Sequence, residues 1–140
     1  MATIDDFKHI EMKIGTILVA EYIEGADKLL RLEVDLGLKE KKPKTEDEAR
    51  SVVAAGSLPT GVSVEEVGEE RDIRQIISGI REYYSPEQLI GKQCPFVTNL
   101  EPRTIRGLVS HGMILAVKTV DDTVVLFHPE KPVQTGSVLS

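Results

Sequence analysis

Residues 29–36, Leu-Leu-Arg-Leu-Glu-Val-Asp-Leu, alternate apolar and charged side chains with a period of two. In an extended chain, successive side chains point to opposite faces. Leu30, Leu32, Val34 and Leu36 then share one face, and Arg31, Glu33 and Asp35 share the other. A helix would scatter both sets around its circumference. The pattern demands a half-buried strand of an antiparallel sheet, and the rest of the chain must supply a core for its dry face.

The flanking sequence supplies more strands. Residues 13–22 (KIGTILVAEY) are rich in β-forming side chains, and Gly25-Ala26-Asp27 reads as the turn that follows. Residues 73–80 (IRQIISGI), 93–99, 112–119 (GMILAVKT) and a short final stretch, 124–127, also read as strands. Within 112–119, Met113, Leu115 and Val117 fall on one face. Ser85-Pro86-Glu87-Gln88 is a helix start, with a serine cap, proline at the first helical position and glutamine three residues after the serine. Gly91 stops that short helix. Residues 5–10 read as a helical turn capped by Thr3 or Asp5.

Residues 39–72 differ in character. They are strongly polar and lack strand periodicity, and Thr45 with Glu48 fits a capping box before a helix over 46–55 that ends at Gly56. The segment reads as an insertion between the second and third strands. The order strand, strand, insertion, strand, short helix, strand, loop, strand is that of an OB barrel. The expectation is one all-β domain over residues 1–140, a five-stranded OB-fold barrel with its helix between strands three and four.

Composition narrows the function classes. The chain of 140 residues carries a net charge of −6, distributed as −4 over residues 1–38, −3 over 39–72 and +1 over 73–140. An acidic protein is a poor general binder of nucleic acid, yet the C-terminal half has room for a local basic patch. No apolar run reaches the roughly 18 residues of a membrane span. The N-terminus carries acids where an export signal needs bases, and the lone Cys94 has no partner for an internal disulfide. The expectation is a cytoplasmic protein with no membrane partner.

Catalytic constellations are missing. His9, His111 and His128 lack paired metal-ligand spacing. Ser110 and His111 are neighbours at a strand edge, where adjacent side chains point apart, which opposes a nucleophile–base pair. No glycine-rich phosphate loop occurs. The reading is a non-catalytic protein with no cofactor and no metal.

Binding remains. An OB barrel presents a groove across strands two and three. Arg31 lies on the polar face of strand two, and Arg74, Ile76 and Ser78 share a face of strand three. Arg103 and Arg106 belong to the loop before strand five. A guanidinium donates two parallel hydrogen bonds to phosphate, so these four arginines make a candidate site. The competing reading pairs them with Glu33, Asp35 and Glu101 as solvated surface ions. Most of the six aromatics, Phe7, Tyr22, Tyr83, Tyr84, Phe96 and Phe127, read as core or helix-packing residues. Backbone and shape should then matter more than stacked bases.

Four stretches together resemble one family: GADKLLRLEVDLG (25–37), IRQIISGI (73–80), YYSPEQLIGK (83–92) and TNLEPRTIRGLVSHGM (98–113). This is the tRNA-binding domain family, which includes the C-terminal domain of methionyl-tRNA synthetase, stand-alone bacterial homologues and cytokine-like domains of synthetase complexes. The resemblance implies an OB fold that binds tRNA structure-specifically without catalysis, either free-standing or in trans as a methionyl-tRNA synthetase β subunit. By motif position it implies tRNA contacts at Lys28, Arg31, Arg74, Ser78, Asn99, Arg103, Arg106, Ser110 and Met113. The C-terminal segment looks like the ending of the dimeric stand-alone members, which implies a homodimer. Dimeric chaperone-like proteins share the fold and supply the alternative, a protein-binding module. The family commonly has Lys where this chain has Glu101 and Thr104, a departure that weakens the electrostatic term for phosphate.

Overall fold

A computed structural model of the chain describes residues 1–39 and 70–140. They divide into two units, Met1–Gly37 with Ile73–Ser140, and Leu38–Asp72. In the second unit, Lys39 donates its backbone N–H to the Glu70 carbonyl (2.8 Å), and its Nζ lies 3.7 Å from Glu70 Oε2. The helix expected over 46–55 lies outside the described residues.

The elements are α1 (Ile4–Lys8), β1 (Met12–Ile23), β2 (Ala26–Leu38), β3 (Arg71–Ser78), α2 (Pro86–Leu89), β4 (Gln93–Val97), β5 (Arg103–Ile105), β6 (Leu108–Ser110), β7 (Met113–Ile114), β8 (Ala116–Lys118) and β9 (Val124–Leu126). Five strands form one sheet in the order β3-β2-β1-β4-β7. Strand β1 is long enough to serve two partners. Its first half, Met12 to Thr16, pairs with β4, and its second half, from Thr16 on, pairs with β2. A register shift between Ile17 and Val19 adds a bulge at the crossover, which bends the strand and curls the sheet. The result is the expected all-β, five-stranded barrel of OB type, with α2 between β3 and β4.

The alternating strand is the floor of the core. Leu30, Leu32 and Val34 are 0% exposed and Leu36 is 1% exposed. Against them pack Ile17 and Ala20 of β1, Ile76, Leu89 of α2, Cys94 and Phe96 of β4, Ile114 and Leu126. Asp35 departs from the expected polar face: it is buried, and its Oδ1 accepts the Gly37 N–H at 2.9 Å. The two helix starts are as expected in kind. Thr3 caps α1 through a reciprocal pair with Asp6, and Gln88 Oε1 accepts the Ser85 N–H at 2.8 Å. Among the described residues, no helix is long and apolar enough to cross a membrane.

Two expectations need correction. The β1–β2 turn is Glu24–Gly25, and Ala26 is a buried strand residue paired with Ile23. A two-residue loop matches the twist of the strands it joins, so the chain turns one residue sooner. Residues 112–119 are not one strand, because the chain changes partner at Leu115. Strand β7 pairs with β4, β8 pairs with β9, and Leu115 donates its N–H to the Pro95 carbonyl between them. Ile114 is the buried residue there, while Met113 and Val117 face outward.

The C-terminal segment is a strap stitched along β1. Ile14 donates to the Ser137 carbonyl (2.8 Å), Gly136 donates to Ile14 (2.7 Å) and Leu139 donates to Met12 (2.9 Å). The Gln93 side-chain amide both donates to and accepts from the Val133 backbone, at 2.7 and 3.0 Å. Gly136, at φ +94°, lies so close to β2 that an added Cβ would sit 2.7 Å from the Leu36 carbonyl oxygen. Gly136→Ala is therefore expected to cost about 1–3 kcal/mol through overpacking. The check is a urea titration, in which the midpoint falls while the slope stays constant. An unchanged midpoint would mean that the strap is not seated against β2.

Candidate nucleic-acid interface

The segment expected to be a loop before the fifth strand is a β-hairpin. Arg103 pairs with Ser110, Thr104 with Val109 and Ile105 with Leu108. Its two-residue turn, Arg106–Gly107, has φ values of +54° and +80°. Positive φ at both central positions is what a tight hairpin turn of matching twist requires, and glycine supplies one of them without steric cost. Arg106 accepts the same backbone region at the tip. Arg103 and Arg106 are both exposed, and neither has an ion pair or side-chain hydrogen bond among the described residues.

The base of the hairpin is fastened to the barrel. Ser110 Oγ accepts the N–H of Ile77 and donates to the Gly112 carbonyl, both at 3.0 Å. Gln75 donates from its side chain to the Val109 carbonyl (2.8 Å), and its backbone carbonyl accepts the His111 N–H (2.9 Å). The Arg74 guanidinium donates to the Thr98 carbonyl and, at 3.1 Å, to the His111 carbonyl. Neighbouring residues of a strand point to opposite faces, so Arg74 and Gln75 grip this segment from two sides. Asn99 fastens the N-terminal segment next to it, accepting the Glu11 N–H (2.8 Å) and donating to the His9 carbonyl (2.7 Å).

Arg31 is also engaged. Its Nε donates to Gln75 Oε1 (2.7 Å), one Nη donates to Glu21 Oε1 (2.8 Å), and the other lies 3.5 Å from Glu33 Oε1. The surface-ion reading is thus realised for Arg31, with Glu21 as the nearer partner. The face shared by Arg74, Ile76 and Ser78 turns inward: Ile76 is 0% exposed and Ser78 is buried. Ile77 on the other row is buried as well, so toward its C-terminal end β3 is covered on both sides, while Arg74 and Gln75 are both half-buried. Lys28 is exposed and unpaired among the described residues, in the irregular stretch between Ala26 and Leu30 where the β1–β2 register shifts. Met113 is exposed. The structure therefore brings Arg31, Gln75 and the hairpin together. Arg74, Asn99 and Ser110 each hydrogen-bond to the backbone of neighbouring segments.

Sequence reasoning passed over Gln75 and Glu21. Gln75 stood inside a quoted motif, but a neutral amide gives no phosphate signal, and its partners Arg31 and Val109 are 44 and 34 residues away. The aromatics also differ from expectation. Phe96 is in the core with Tyr84 packed on it, whereas Phe7, Tyr22 and Phe127 are exposed. The Tyr22 ring carries the Arg81 guanidinium 4.5 Å from its centroid.

The remaining reactive groups are tied up. Burial raises the Cys94 thiol from its ordinary value of 9.0 to about 11, against the opposing pull of the Lys92 charge. It keeps its proton at neutral pH, and its Sγ lies 3.5 Å from His128 Nδ1. That same nitrogen is 2.7 Å from the Gln93 carbonyl. Among the described residues, no group of three or more His, Cys, Asp or Glu is placed to hold a metal ion.

Ser110 offers a direct test of scaffold against ligand. Ser110→Ala leaves the buried Ile77 N–H without its acceptor and is expected to destabilise the protein by about 1–3 kcal/mol. Thermal melting measures this. Wild-type stability combined with weakened RNA binding would instead make Ser110 a ligand-contacting residue.

Comparison with known proteins gives this geometry a family. The family model described as "Putative tRNA binding domain" matches residues 61–138, the segment that contains the hairpin. The methionine–tRNA ligase of Methanococcoides burtonii is 35% identical over 139 residues, which are 99% of this chain and 16% of that protein. The chain thus spans about a sixth of the length of the curated relatives it matches. A MetRS related protein from Pyrococcus horikoshii has a similar structure, with a TM-score of 0.72 and 27% identity over 100% of this chain and 98% of that one. The chaperone CsaA of Bacillus anthracis is similar at a TM-score of 0.69 and 26% identity, over 100% and 99% of the two chains. With more than half of its residues matched, the chain belongs to the putative tRNA binding domain family.

Proposed function

We propose that the chain is a non-catalytic tRNA-binding protein of the cytoplasm that captures tRNA at the β5–β6 hairpin. It acts either free-standing or in trans as a methionyl-tRNA synthetase β subunit. The observation that carries the reading is that Arg103 and Arg106, exposed and without ion-pair partners among the described residues, project from a fastened hairpin inside the family-matched segment. Lys28 adds a third open cation, and Met113 an exposed apolar contact. Asn99, Arg74, Ser78 and Ser110 support the surface from behind. The reading takes residues 1–140 as one tRNA-binding domain. Holding tRNA beside a synthetase raises its effective concentration without adding chemistry.

Electrophoretic mobility shifts with tRNA across a salt series test this reading. Arg103→Ala and Arg106→Ala are each expected to weaken binding and to lower the salt slope by about 0.7–0.9. No shift at low salt, or binding that ignores salt, would sink the proposal. The likeness to the Bacillus anthracis chaperone CsaA keeps one second reading. Binding of unfolded peptide by a protein that shifts no tRNA would favour it.

A homodimer completes the proposal. Its support is the apolar surface carried by the C-terminal third, where Val117, Val125, Phe127 and Val138 are all exposed. Sedimentation velocity should give twice the mass of one chain, and a monomer at tens of micromolar would count against pairing.

A further inference from the structure

The groove beside the hairpin is not basic. Glu21 and Arg31 face each other across the β1–β2 register, and Glu33 lies two residues along β2 on the same face. The guanidinium of Arg31 is occupied on every side. Nε is held by Gln75 Oε1 at 2.7 Å, and Gln75 is itself held by the Val109 carbonyl. The Nη edge, which would take the two oxygens of a phosphate, faces Glu21 Oε1 at 2.8 Å and Glu33 Oε1 at 3.5 Å. Side-chain exposure is 25% for Arg31 and 53% for Glu21, so the arginine lies beneath and the glutamate outside.

We infer that Glu21 is an affinity-setting latch that competes with RNA phosphate for Arg31, with Gln75 as the pivot. The inference rests on the tRNA-binding reading. The exchange leaves the Nε–Gln75 bond in place and frees one Nη by the outward swing of half-exposed Glu21, while Glu33 keeps its looser 3.5 Å contact with the other. An exposed ion pair is weak enough for a phosphate held by the adjacent hairpin to displace it. The backbone hardly moves, because Gln75 ties Arg31 to the hairpin before and after the exchange. Arg31 thus adds a phosphate contact only to an RNA already docked on Arg103 and Arg106.

The test is a double-mutant cycle on tRNA affinity with wild type, Glu21→Gln, Arg31→Ala and the double variant. Glu21→Asp is added because it keeps the charge but withdraws the carboxylate by one methylene. Glu21→Gln is expected to tighten binding about two- to fivefold and to steepen the salt slope by about 0.7–0.9. Glu21→Asp should tighten it in the same direction, and Arg31→Ala should abolish the gain. Equal tightening in the Arg31→Ala background, or no effect of Glu21→Asp, would mean a general charge effect and overturn the latch. Because Glu21→Asp retains Arg31, its outcome stands even if Arg31→Ala fails to fold. Should wild type bind tRNA while the cycle is additive, only the latch falls. Should no protein of the set bind tRNA at low salt, the tRNA-binding reading falls with it.

Discussion

Burial of one face of β2 is the constraint on which the other features depend. Leu30, Leu32, Val34 and Leu36 are all at or below 1% exposure, and side chains of this kind gain about 1.5–3 kcal/mol each in gross terms on burial. Set against a net folding stability of about 5–15 kcal/mol, that row alone makes a shift of register prohibitive. Because the period of a strand is two, the same constraint orients the polar row. Arg31 and Glu33 must face outward, and the β1 register then sets Glu21 opposite Arg31. The electrostatics of the groove follow from the packing of the core beneath it.

The hairpin shows how an acidic chain presents cations. The carbonyls of Thr98, Val109 and His111 all accept hydrogen bonds from two adjacent β3 side chains, Arg74 and Gln75. The hairpin's orientation is therefore set by the core strand. Arg106 sits in the hairpin's turn and Arg103 at its base opposite Ser110, and neither makes an ion pair among the described residues. At physiological salt, charges more than about 8 Å apart are largely screened, so the net charge of −6 matters less at the tip than the local cations do. Glu101 is the acid nearest in sequence, and it makes no ion pair with Arg103 or Arg106 among the described residues.

The sequence was legible where its signals were local and periodic. The alternation of β2 foretold its buried row, and the serine, proline and glutamine at 85–88 foretold α2. The hairpin was less legible because its strands are three residues each, too short for a period to register. The functional residues were legible by charge but not by partner. Arg31 and Arg103 look alike in the sequence. One is bound by Glu21, Glu33 and Gln75, and the other has no partner among the described residues. That difference is made by β1–β2 and β2–β3 neighbours that only the folded sheet brings together. The hydrogen bonds of Asn99 to the backbone of His9 and Glu11, some 90 residues away, had no local signal either. Arg74 and Ser78 were assigned to the right strand. Parity alone left open which face was core.

The count of open cations bears on how such a protein would hold RNA. Two hairpin arginines give a salt slope of only about 1.4–1.8, so one copy would hold RNA phosphate weakly. Raising the count by adding cations to the groove would crowd Arg31 and leave the core row unchanged, but the groove already carries Glu21 and Glu33 on that face. Duplication avoids this conflict. In a homodimer each barrel keeps its acidic groove and its fastened hairpin, and an RNA that reaches both hairpins meets twice the open arginines. The second contact then forms at the effective concentration set by the first, which multiplies affinity without any new type of contact. On this argument the proposed pairing through the apolar C-terminal surface is part of the binding mechanism, since it supplies the charge that a single chain withholds.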